Sequence, residues 1–189
     1  MQVVSKGSPK HKNPWKTEKS KVVYKNPWIK VREDKVVRPD GKDGIYGVVQ
    51  INDGVGIVAL DNKDNVFLIG EWRYPISKYS WSIICGTREG KEKPLTSAKR
   101  ELLEEANVKA DSWKHLITFH TSPGTFNEAA HIFLARGLKH AEGKQEGTTK
   151  IRVKKIPFKK ALNMIKKGGI TDSFAIVGLL KTKEYLKDA

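Results

Sequence analysis

Apolar positions along this chain fall into short runs separated by polar turn residues, a rhythm that predicts strands more often than helices. β-rich pieces occur between Lys21 and Val37, interrupted at Asn26-Pro27. Pro39-Asp40-Gly41 is a turn signal, followed by strands expected at Tyr46 to Ile51 and Val55 to Leu60. The polar run Asp61 to Asn65 predicts a turn before another strand at Val66 to Trp72. Further strands are expected at His115 to His120, His131 to Ala135 and Lys150 to Ile156, with residues 137–150 as a polar loop.

Helical periodicity appears three times. Pro94 opens the first helix, to about Glu105, and proline suits a first helical position because its missing N–H had no partner there. The second is expected from Phe158 to Lys167 and the last from about Asp172 to Tyr185. Mostly antiparallel strands with helices segregated toward the end predict a mixed α/β fold. There is no internal repeat.

The chain has 189 residues, enough for one cored domain with a modest extension. Residues 1–20 read as a basic arm, 21–52 as an N-terminal strand region and 53–189 as the main domain. No apolar run approaches the roughly 20 residues of a membrane span. The single cysteine, Cys85, excludes an intrachain disulfide and argues against a Cys-based zinc site. The start lacks the apolar core of a secretory signal, so a cytoplasmic location is expected. A net charge of +15 favours anionic partners, from nucleotides to nucleic acid.

The first helix changes the picture. At about 100° per residue, Glu101, Glu104 and Glu105 share one face, while Leu95, Ala98, Leu102 and Ala106 form the expected buried stripe. Three like charges at this spacing repel one another, and a hard cation such as Mg²⁺ would relieve them. A solvated acidic face remains the alternative on these residues alone.

Spacing decides between them. Gly86, five residues, Glu92, seven residues, then Arg100-Glu101-Leu102-Leu103-Glu104-Glu105-Ala106-Asn107-Val108 closely resembles the Nudix box. Asn107 alone departs, standing where that family has glycine. The position ends a helix and wants a left-handed backbone, which asparagine tolerates next best.

The resemblance implies a Nudix α/β/α sandwich with a mixed sheet and an N-terminal β-rich extension. It implies Mg²⁺, with Mn²⁺ as the alternative, bound by Glu101, Glu105, Glu104 and the main-chain carbonyl of Cys85. Arg100 and Glu92 would brace the helix and orient Glu101. GEWRYPISKYSW, TSPGTFNE and KKGGITDSFAIVGLL resemble, less specifically, segments of ADP-ribose and nucleoside diphosphate sugar pyrophosphatases. From that likeness Arg73 would contact the diphosphate, Trp28 stack on the base, and Ser122 to Gly124 shape the loop near the terminal sugar, with Glu128 as acidic support. Relatives place an acidic general base where this chain has Thr149, so Glu146 is the candidate and Glu104 the alternative; Glu142 is the other nearby acid.

The expected activity is Mg²⁺-dependent hydrolysis of the diphosphate in a nucleotide sugar, in a homodimer built through the N-terminal strands. The alternatives are a pyrophosphohydrolase of RNA 5′ ends, supported by the charge, and a non-catalytic nucleotide-sensing module.

Overall fold

A computed structural model describes residues 12–143 and 151–188. It divides into two compact units, the first of residues 1–51 with 124–127, the second of 52–123 with 128–189. Each is described by itself.

The first unit is a three-stranded antiparallel sheet of β1 (Lys16–Lys25), β2 (Ile29–Val37) and β3 (Asp43–Ile51), in that order. β1 begins inside the segment read as an arm. Its sequence, KTEKSKVVYK, is exposed at every position, so no buried face marks it as a strand. What holds it is the ladder to β2 and a hydrogen bond from the Ser20 hydroxyl to the buried Asp34 carboxylate, 2.6 Å. Residues 124–127 run beside β3: Val49 N–H donates to the Thr125 carbonyl at 2.9 Å, and the Tyr46 hydroxyl to the Gly124 carbonyl at 2.9 Å. Trp28 is 78% exposed.

The second unit carries two sheets. In the four-stranded one, β4 (Gly54–Ala59) lies between β7 (Ile84–Thr87) and β9 (Ala129–His140), and β8 (Val108–His120) forms the edge. β4 pairs parallel with β9, and the other pairings are antiparallel. In the three-stranded sheet, β5 (Asn65–Arg73) lies between β10 (Arg152–Pro157) and β6 (Lys78–Ser82). A 3₁₀ turn, Tyr74–Ile76, joins β5 to β6.

All six residues of β4 are buried because both faces are covered, which is why Val55 to Leu60 reads as an unbroken apolar run. Val55, Ile57 and Ala59 pack with Ala98 and Leu102 of helix α1 (Pro94–Ala106). Val58 and Leu60 pack on the other face with residues of α2 (Phe158–Lys166) and α3 (Ser173–Asp188). Helices on both faces of a mixed sheet make the α/β/α sandwich that the box implied.

Among the departures from expectation are two strand boundaries and one side chain. β8 starts seven residues earlier than His115, and β9 runs on to His140 through part of the segment read as loop. Both extensions are rich in polar side chains, and the pairs they make with each other carry them. Leu95, expected in the buried stripe of α1, is 37% exposed, while Ser97 and Ala98 just after it are buried.

Candidate active site

The site is built where β7 meets α1. Pro94 sits in the first turn of α1, and the helix ends at Asn107 in the left-handed region, φ 52° and ψ 44°. The Asn107 side-chain oxygen accepts the Gly143 N–H at 3.0 Å, so asparagine supplies a bond that glycine could not.

Between these ends the three glutamates part company. Glu101 is buried midway along the helix, its carboxylate lying where a Cβ on Gly86 would be. Glu105 accepts the Cys85 backbone N–H at 3.1 Å. Burial pushes the Glu105 carboxyl up to about 8; the Cys85 N–H opposes this, and the charges of Glu101 and Glu71 add to it. Burial raises Glu101 as well, against the pull of Arg100. Glu104 turns to Arg100 Nη1 at 3.0 Å.

Arg100 is the brace. Its Nη1 donates to Glu101 at 2.9 Å, and its Nη2 to the Thr87 carbonyl at 3.1 Å and to Glu92 at 3.4 Å. Burial would lower its pKa, but the charge of Glu101 with the Glu92 and Glu104 contacts outweighs this. Glu92 is fixed in turn by the Ser97 hydroxyl, 2.8 Å, which holds its carboxyl below the usual range. Ser97 is buried and went unnoticed in the sequence, where nothing sets it apart from any small helical residue.

A cavity of about 410 Å³ opens beside Cys85 and Gly86, with Arg73, Glu128, Asp172 and Phe174 among its walls. Arg73 pairs with Glu71 at 2.8 Å and approaches the Cys85 sulfur at 3.7 Å. Burial pushes the Cys85 thiol up to about 12, leaving it a neutral, unreactive wall. Asp172 accepts the Ser82 hydroxyl at 2.7 Å and the Ala175 N–H at 2.9 Å, capping α3. Glu128 accepts a short hydrogen bond from the Thr121 hydroxyl.

The structure thus brings together Glu101, Glu105, Cys85, Arg100 and, through its cavity, Arg73. Ser122 is half-buried outside the cavity wall, and Gly124 lies in the first unit with Trp28. Glu142 is exposed, and Glu146 and Thr149 lie outside the described residues.

A divalent cation fits this donor set. Glu105 is a half-buried carboxylate that accepts a main-chain N–H, and it stands near the buried Glu101, whose charge acts on it. Among the described residues no three His, Cys, Asp or Glu side chains converge as a ready-made ion cage. Two carboxylates, a carbonyl, water and substrate oxygens are what Mg²⁺ typically accepts.

Comparison with known proteins agrees with the geometry. Residues 15–49 match the nucleoside diphosphate sugar hydrolase N-terminal domain. An ADP-ribose pyrophosphatase of Mycobacterium tuberculosis is 28% identical over 88% of this chain and 82% of its own. One from Bacillus subtilis is 26% identical over 91% and 95%. A methanol dehydrogenase activator of Bacillus methanolicus is 29% identical over the same 91% and 95%. A solved structure described as an ADP compounds hydrolase superposes with a TM-score of 0.83 at 16% identity, covering 95% of this chain and 98% of that one. Residues 51–168, which include every buried side chain of the glutamate cluster, match the NUDIX domain, and the chain belongs to the Nudix family.

Proposed function

We propose that this Nudix enzyme hydrolyses the diphosphate linkage of nucleoside diphosphate sugars, of the ADP-ribose and GDP-mannose type, releasing a nucleoside monophosphate and a sugar phosphate. The observation that carries it is the placement of the buried Glu101 and the half-buried Glu105 against Gly86 and Cys85, two residues that line a cavity together with Arg73. Glu101, Glu105 and the Cys85 carbonyl would hold Mg²⁺, or Mn²⁺ in its place, with Glu104 as a further ligand on release from Arg100. Bound there, the metal neutralises the diphosphate and lowers the pKa of an attacking water.

The chain's own residues supply the rest. Arg73 binds phosphate oxygens through charge-assisted hydrogen bonds, and Arg100 orients Glu101. Glu104 or Glu146 takes the proton from water, while Ser122 and Gly124 shape the sugar end. Trp28, exposed in the first unit, is available to stack on a base. The exposed Val22, Val23 and Tyr24 of β1 support a homodimer in which the first unit is covered by a second copy. One cysteine with a neutral thiol suits a reducing cytoplasm, and no helix among the described residues is long and apolar enough to cross a membrane.

A second reading, hydrolysis at RNA 5′ ends, is supported by one observation. Lys159, Lys160, Lys166 and Lys167 are exposed on one stripe of α2 and just past its end, and Ile151 to Thr171 contain no acid.

Turnover of ADP-ribose, GDP-mannose and 5′-triphosphate RNA, with Mg²⁺ and with chelator, tests both. Metal-dependent cleavage of the sugar nucleotides is expected. Cleavage of RNA alone would replace the first reading by the second, and no turnover of any substrate would leave a nucleotide-binding module.

A further inference from the structure

Glu71 is an acid that the metal cluster does not need. It lies on β5 two residues before Arg73, so the two side chains leave the same face of the strand, with Trp72 on the other. Its carboxylate reaches Arg73 Nη1 at 2.8 Å, and with the side chains 16% and 33% exposed the pair is only partly screened by water. On its other arm, Arg73 Nη2 stands 3.7 Å from the Cys85 sulfur. The guanidinium is therefore pinned between a carboxylate and Cys85 of β7, at the wall of the cavity. Opposite Glu71 in the ladder is Ser80, another cavity residue. Glu71 is also close enough to Glu105 for its charge to oppose ionisation there.

This arrangement has two consequences. An arginine has five N–H donors, and one edge tied to Glu71 leaves the others for phosphate oxygens while fixing the plane of the group. The carboxylate also cancels part of the positive charge that draws anions in. A diphosphate bridging two sugars carries little charge, whereas a triphosphate chain carries more and meets more repulsion from a fixed carboxylate. We infer that Glu71 is a positioning and selectivity residue, holding Arg73 in place and biasing the anion site toward diphosphate diesters over more highly charged polyphosphates. The inference rests on the reading of this cavity as the diphosphate site.

The test is titration calorimetry of ADP-ribose and ATP, in chelator, on the full chain and on E71Q and E71A, beside Mg²⁺-dependent turnover of ADP-ribose. Glutamine keeps an acceptor for Arg73 and removes only the charge. E71Q is expected to raise the ratio of ATP to ADP-ribose affinity about tenfold. E71A is expected to raise that ratio similarly and to weaken both ligands, because Arg73 loses its anchor. A ratio unmoved in both variants would overturn the selectivity role, as would failure of both nucleotides to bind wild type and E71Q. A ratio that moves in a protein without turnover would retain Glu71 and remove the hydrolase reading. Turnover with an unmoved ratio would do the reverse.

Discussion

A side chain at Gly86 and the carboxylate of Glu101 cannot occupy the same space: the first carbon added to Gly86 would overlap the Glu101 carboxyl group. Glycine is required here for close approach between β7 and α1. The obstructing atoms are the mobile end of a side chain, so Gly86→Ala can be accommodated by swinging Glu101 aside. Stability should then change by no more than about 1 kcal/mol. Turnover should nevertheless fall about a hundredfold or more, because Glu101 leaves its place. Thermal unfolding measured beside kcat separates the two; a large loss of stability with proportionate activity would show Gly86 to be a packing residue only.

Glu105→Gln makes the complementary case. The amide oxygen can still accept the Cys85 N–H, while a carboxyl group that burial disfavours as an anion is replaced by a neutral one. The metal-free protein should therefore be at least as stable as wild type at neutral pH. Metal affinity and turnover should both collapse, activity by more than about a hundredfold, since even partners outside the ligand shell are worth 10–100-fold. Calorimetric Mn²⁺ binding is the direct measurement, and unchanged affinity would remove Glu105 from the ligand set.

The limits of α1 and the segregation of its glutamates were legible because they rest on local chemistry: proline at the start, a left-handed asparagine at the end, and a fixed spacing between. Legible for the same kind of reason was β4, whose unbroken apolar run reflects cover on both faces. What the sequence concealed depends on partners remote in the chain. Lys16 to Ser20 carry no apolar alternation because every position of β1 is exposed. Ser97 and Glu92 are five residues apart on a bent path, and only the fold shows their hydrogen bond. Glu71 passes for an ordinary strand acid until Arg73 and Glu105 are seen around it. Leu95 has the right wheel position but is left exposed at the start of α1.

Asn107 combines two contributions that substitutions can separate. Asn107→Gly keeps the left-handed end of α1 and loses only the side-chain bond to Gly143; relief of backbone strain offsets that loss, for a net cost within about 1 kcal/mol. Asn107→Ala loses the bond and keeps the strain, so a cost of about 1–2 kcal/mol is expected. Urea unfolding of the two variants measures the difference, and alanine as stable as glycine would show that the left-handed geometry relaxes away.

Asp61 gives the pH dependence. It closes the turn between β4 and β5, accepting the backbone N–H groups of Lys63 at 2.9 Å and Asn65 at 2.8 Å, the Asn65 amide at 3.0 Å, and an ion pair from Lys155 at 3.2 Å. Burial works against its ionised form, but these donors outweigh burial and hold the carboxyl well below the usual carboxylate range. The sign follows from proton uptake on unfolding. The unfolded chain, with an ordinary pKa near ~3.9, binds a proton there at a pH where the folded chain does not. Stability from Asp61 is therefore fully present above about pH 5 and declines as the pH falls through and below the ordinary aspartate range. Asp61→Asn keeps a side-chain oxygen for the backbone donors and removes the charge. It should cost about 1–2 kcal/mol at pH 7 and progressively less toward pH 3, so the wild-type and variant unfolding curves converge in acid. Urea midpoints measured from pH 7 down to pH 3 check this, and a gap that stays constant with pH would show that Asp61 acts through shape rather than charge.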